Sequence, residues 1–134
     1  MLPLIVLFRA AQLFAHAAHN TVTGPAFFGD HAFLGESYEA YEAAYDVLVE
    51  QEIARGVALD LQKIGVDAVM IAAGAYSGSD ALGIFSAQQN LETRIRESIG
   101  ELVASADDAG QGLLQQLAQD SLARSYKLRA RLLP

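Results

Sequence analysis

From Pro25 to Arg55 the chain offers one long helical run, and this run limits what the rest can become. No proline interrupts it, and its only internal glycines are Gly29 and Gly35. Pro25 suits a first helical turn, where its missing N–H would go unpaired anyway. Gly56 stands where a C-terminal cap is expected. A helix of this extent is roughly 46 Å long at 1.5 Å per residue. Asp46 and Glu50, four residues apart, share one face of it. His31 points within about 60° of Asp46 but stands roughly 22 Å from it along the axis. Histidine and carboxylate ligands sit about 2.0–2.2 Å from a metal ion, so one chain cannot bring them to the same ion. A second copy can. Two such helices, antiparallel and crossing near Glu39 to Tyr41, place His31 of each beside Asp46 and Glu50 of the other, an isologous two-fold contact.

The 134 residues are read as one domain, residues 1–134, long enough to bury a real core. Helix formers dominate, β-branched residues are scattered and prolines number three, so an all-α fold is expected. Net charge is −7, and before Arg55 the only base is Arg9, against acids spread from Asp30 to Glu52. Arg124, Lys127, Arg129 and Arg131 crowd the C-terminus. Such a chain is a poor ligand for phosphate backbones, and cations are the better partners. Direct DNA binding is therefore not expected. Without cysteine there is no disulfide, thiolate ligand or cysteine nucleophile. That fits a reducing, cytoplasmic setting. The opening MLPLIVLF lacks a basic leader and is closed by Arg9, so it is taken as the buried start of a helix. It is far short of the roughly twenty residues of a membrane span.

Four long helices follow from the apolar spacing. The first covers Leu4 to about His19, with an apolar face broad enough to suggest burial on more than one side. After the turn NTVTG comes the long second helix. Val57 to Ala73 has helical character around Leu59–Ile64 and again around Asp67–Ala72, and predicts a short helix within a long crossover. A loop, GAYSGS, then leads to a third helix capped by Ser79 or Asp80 and ending near Ala104. The turn SADDAG offers an N-cap among Ser105, Asp107 and Asp108 for a last helix reaching about Leu132. Its terminal bases complement the helix dipole. Four long helices with a long link between the second and third make a ferritin-like four-helix bundle.

The motif spacing goes further. His19, then VTGPAFF over Val22 to Phe28, then His31, Asp46 and Glu50, resembles the miniature ferritins called Dps, DNA-binding proteins from starved cells. That family carries H-W-N-V-x-G-P-x-F-F, with a second histidine twelve residues after the first. An aspartate follows four residues later, and an Asp-x-x-x-Glu pair eleven after that. Gly56 and the Asp107–Asp108 turn fall in register too, so the likeness spans nearly the whole chain and is densest from His19 to Gly56. The resemblance implies a hollow dodecamer that oxidises Fe(II) with hydrogen peroxide and stores Fe(III) mineral inside, with no organic cofactor. It places the ferroxidase sites at two-fold interfaces, His19 and His31 coming from one subunit and Asp46 and Glu50 from its neighbour.

Three departures matter. Asn20 stands where the family has tryptophan, and Gly35 where it has the aspartate that follows the second histidine. The lysine-bearing N-terminal tail with which many members contact DNA is also not part of this sequence. Gly35 weakens the second iron position, leaving His31 and a shared Glu50 there, while His19, Asp46 and Glu50 still hold the first. Asp30 and Glu36 are near in sequence but point about 100° away, so either replaces the missing ligand only through a local distortion. One strong and one weak iron site per interface are expected. The rival reading is a structural or metal-binding shell whose ferroxidase activity is impaired by Gly35. Tyr38, Tyr41 and Tyr45 are read as packing residues, with reduction of stray oxidants as the second role. His16 has no place in the pattern and is read as structural. Glu36, Glu39 and Glu42 fit a cavity face or a solvated surface about equally, and the C-terminal bases fit interface salt bridges or pore walls.

Overall fold

A computed structural model describes residues Met1–Pro134. Five α-helices follow one another: α1 Leu2–Thr21, α2 Phe27–Ala54, α3 Leu61–Ala75, α4 Ala81–Leu102 and α5 Asp108–Leu132. A single 3-10 turn, Val103–Ser105, sits between α4 and α5. The four long helices form the bundle, and α3 lies in the crossover between α2 and α4, as the apolar spacing predicts. The crossover helix is one continuous element, although Gly65 in its interior had split the pattern into two stretches.

Local chemistry sets the boundaries. Pro25 lies just outside α2, which begins two residues later. Gly56 closes α2 at φ 83°, the left-handed conformation that glycine adopts without strain. Asp60, Asp80 and Asp107 cap α3, α4 and α5, each accepting a hydrogen bond from the backbone N–H three residues on. Asp107 also takes two hydrogen bonds from Arg55 of 2.8 Å, so the end of α2 and the start of α5 share one carboxylate.

The core is built around α1. Leu4, Ile5, Phe8, Ala10, Ala11, Phe14, Ala15 and Ala18 are all essentially inaccessible. This helix packs chiefly against α2, and also against α3 and α4, while α4 pairs with α5. That contact pattern accounts for its broad apolar face. By length and composition α1 is apolar enough to cross a membrane, and 61% of it is buried within the bundle. The α1–α2 turn is held by Thr23, whose N–H donates to the Ser79 carbonyl at 3.1 Å. This tie fixes the end of the bundle where the histidines lie.

Candidate metal centre

His19 ends α1 and His31 opens α2, so the short turn between the helices brings them face to face. Their rings stack with centroids 3.8 Å apart and planes 23° from parallel. Each ring is pinned by the backbone of the other. His19 Nδ1 lies 2.9 Å from the carbonyl oxygen of His31, and His31 Nδ1 lies 2.8 Å from that of His19. A carbonyl only accepts, so both Nδ1 atoms must carry the proton. In the neutral rings both Nε2 atoms then keep their lone pairs, the tautomer a metal ligand requires. Phe27 stacks on the outer face of His31 at 5.1 Å, and Tyr38 meets the His19 ring edge-on at 5.3 Å. His16 stacks on Tyr38 at 4.3 Å. The clamp is half-buried.

Gly35 lies under the His19 ring. A Cβ added there would come within 3.1 Å of His19 Cε1 and 3.2 Å of Nδ1, so glycine leaves the His19 ring its present place and a larger residue would press on it. Asp46 and Glu50 are exposed one turn apart, far down α2. No group of three His, Asp or Glu side chains converges within the chain. Asp30 is committed elsewhere. It is buried and receives Arg131 Nε at 2.8 Å and Nη2 at 2.9 Å, one bond on each carboxylate oxygen. It therefore does not stand in for the ligand missing at Gly35. Glu36, Glu39 and Glu42 are all exposed.

A second polar cluster, absent from the sequence reading, lies at the heart of the bundle. Glu92 is fully buried, bonded by Arg124 Nε and by Ser121 Oγ at 2.5 Å. The Tyr41 hydroxyl also donates to Glu92, and Gln88 Nε2 donates to Tyr41 at 3.0 Å. Burial, reinforced by the charge of Glu92, pushes the Tyr41 phenol well above its usual pKa, so it stays a donor. Arg124 and Arg131 thus serve ion pairs within the subunit, which corrects, for these two of the four C-terminal bases, the expectation of interface salt bridges or pore walls. The signal was readable in part: Gln88 and Glu92 fall on the same buried register of α4 as Ile84, Phe85, Leu91 and Ile95.

A family model for the ferritin-like domain matches residues 6–131. The chain belongs to the ferritin family. Its fold is similar to that of a Dps protein from Deinococcus radiodurans, whose crystal structure superposes with a TM-score of 0.79 at 19% sequence identity. The similarity covers 95% of this chain and 79% of that one. No curated protein matches by sequence. Ferritin-like bundles that hold two metals at their centre use glutamates from facing helices and Glu-x-x-His motifs. This ferritin has no histidine after His31, and its one central carboxylate is neutralised by Arg124. An arginine already occupies the place of a central cation. The histidine clamp at the end of the bundle remains as the set of free nitrogen donors.

Proposed function

We propose that this ferritin binds and oxidises Fe(II) at sites shared by two subunits, with His19 and His31 from one and Asp46 and Glu50 from the other. The reading extends to a closed shell of the Dps kind, a dodecamer that keeps Fe(III) inside and consumes hydrogen peroxide. The observation that carries it is the reciprocal histidine clamp, which turns both Nδ1 atoms to backbone carbonyls and leaves the two Nε2 atoms for a metal, with no carboxylate of its own chain to complete the set. Exposed apolar side chains support assembly: Phe28 is 88% exposed beside the clamp, and Val66, Val69 and Met70 stand out from α3.

The chemistry follows from the donor types. Imidazole with carboxylate suits Fe(II), and the harder carboxylate oxygens favour Fe(III) as it forms. The clamp fixes ring direction before iron arrives, so little ordering remains for binding. Few protein ligands leave coordination positions for water and peroxide. Glu50 is the residue proposed to be shared by two irons. Because Asp30 is held by Arg131, Gly35 leaves the second position poorer, and one strong and one weak iron per interface remain the expectation. The cytoplasm is the proposed compartment, and DNA is proposed to be protected through removal of iron and peroxide rather than by direct contact.

One observation favours the rival reading of a metal-binding shell with impaired oxidation. A Cβ at position 35 would lie 3.1 Å from His19 Cε1 and 3.2 Å from its Nδ1, so a ligand side chain there requires the ring to give way by a few tenths of an ångström. Adding Fe(II) and then peroxide to the assembled protein, and following ferric absorbance, separates the two. Oxidation well above the protein-free rate supports the ferroxidase. Iron retention at the protein-free rate supports the passive shell. Anomalous diffraction at the iron edge then locates the metal, and density away from the His19–His31 clamp would refute both.

A further inference from the structure

A cavity of about 310 Å³ opens between the first turn of α2, the start of α4 and the last turns of α5. That is the lower end of the range in which proteins hold small organic ligands. Phe85 and Leu128, both nearly inaccessible, form its floor, and the half-buried Phe33 forms one side. The two phenyl rings meet edge-to-face, with centroids 5.9 Å apart. Such a wall favours a further aromatic ring, because ring edges and faces carry opposite partial charge. Two cations line the same space. Lys127 is exposed and enters no ion pair. Arg131 lies over the Phe85 ring at 5.6 Å and gives Nε and Nη2 to Asp30, which leaves Nη1 without a partner. Asp30 is the only acid in the lining. One carboxylate stands against two bases, so the wall carries a single net positive charge.

We propose that this cavity binds a small aromatic monocarboxylate, its ring against Phe33 and Leu128 and its carboxylate on Lys127 and Arg131 Nη1. The ring covers apolar surface that water otherwise wets, and the cations fix its direction through charge-assisted hydrogen bonds. A single negative charge balances the wall, whereas a dianion such as phosphate exceeds it. Asp30 gains a positioning role, since it holds the Arg131 guanidinium across the cavity instead of letting it swing into water. None of the lining residues is a proposed iron ligand, so the site does not rest on the ferroxidase reading.

The test titrates phenylacetate into the assembled protein by isothermal calorimetry. Saturable binding of about one molecule per subunit is expected. Phenylacetamide keeps the ring without the charge, and acetate keeps the charge without the ring. Each is expected to bind roughly tenfold more weakly than phenylacetate. Lys127→Ala is expected to weaken phenylacetate by a similar factor. Gly29→Leu is expected to abolish binding, because residue 29 lines the cavity and a Cβ built there meets no atom within 4 Å. Its side chain therefore takes up room in the cavity without straining the helix, and circular dichroism checks that both variants fold. No saturable heat in the wild type overturns the proposal, as does phenylacetamide or acetate binding as tightly as phenylacetate. Binding that survives both Lys127→Ala and Gly29→Leu also overturns it, by placing the ligand elsewhere. Iron oxidation enters none of these readouts.

Discussion

Arg131 grips Asp30 with one hydrogen bond to each carboxylate oxygen, joining the last turn of α5 to the first turn of α2. With both oxygens engaged, Asp30 serves the fold. Asp30→Asn is therefore expected to lower unfolding free energy while leaving iron oxidation per folded subunit unchanged. The Arg131 side chain is 33% exposed, so water screens part of the pair, and the expected cost is about 1–2 kcal/mol. Urea denaturation beside an iron-oxidation assay reads both quantities. A loss of activity in folded protein would return Asp30 to the list of ligands.

Glu92 presents the opposite case, a carboxylate with no exposure at all. Arg124→Met leaves that charge buried and uncompensated, at an expected cost of about 3–5 kcal/mol. Adding Glu92→Gln removes the stranded charge and is expected to restore most of the loss. The double-mutant cycle measures the coupling directly. Additive effects would mean that the pair does not act as a unit.

Acid stability is expected to depend on Asp107. The hydrogen bond from Arg55, helped by the Gly110 N–H, lowers its pKa from 3.8 to about 2. A depressed carboxylate stabilises the folded state fully above the unfolded value. The contribution fades as pH falls from 3.8 toward 2, because the unfolded chain takes up the proton first. Asp107→Asn keeps a capping side chain and removes the charge. Its stability deficit relative to wild type is expected to be constant from neutral pH to about pH 5 and to shrink below pH 4. Denaturant midpoints measured across that range decide it.

Sharing of the site between subunits predicts complementation. His31→Ala and Glu50→Ala assemblies are each expected to lose most oxidation. After dissociation and joint reassembly in equal amounts, about a quarter of the sites combine the intact histidines of one variant with the intact carboxylates of the other. Activity should return to that fraction of wild type. No recovery, with mixed assembly confirmed by mass spectrometry, would place all ligands on one chain.

Gly35 sets the room available to His19. Gly35→Ala favours the helix by up to about 1 kcal/mol in intrinsic propensity, yet its Cβ presses on the ring at 3.1 Å. Weaker binding of Co(II), followed by its visible absorption, is expected without loss of helix content by circular dichroism. Unchanged affinity would show that the ring adjusts without effect on its Nε2.

The helices and the separation of donors were legible because both are local: periodicity and rise per residue need no partner. His19 and His31 were legible as a pair through their spacing, but the mutual Nδ1–carbonyl clamp depends on a turn tied to Ser79, far along the chain. The pairing of Asp30 with Arg131 spans 101 residues and has no local trace. Arg124 and Arg131 read as surface charges because dipole complementarity at a helix end explained them well enough. Glu92 was the hidden case. A carboxylate at a core position of α4 calls for a buried cation, but periodicity cannot say that Arg124 on α5 provides it.

That buried arginine has a consequence for how the protein is switched on. With a permanent positive charge at its centre, a solitary subunit has nowhere inside to accept iron, and its end-on imidazoles lack their anionic counterparts. On the proposed shared site, competence would rise with encounter between subunits, so dilution alone would silence the chemistry and a freshly made chain would stay inert until it finds company.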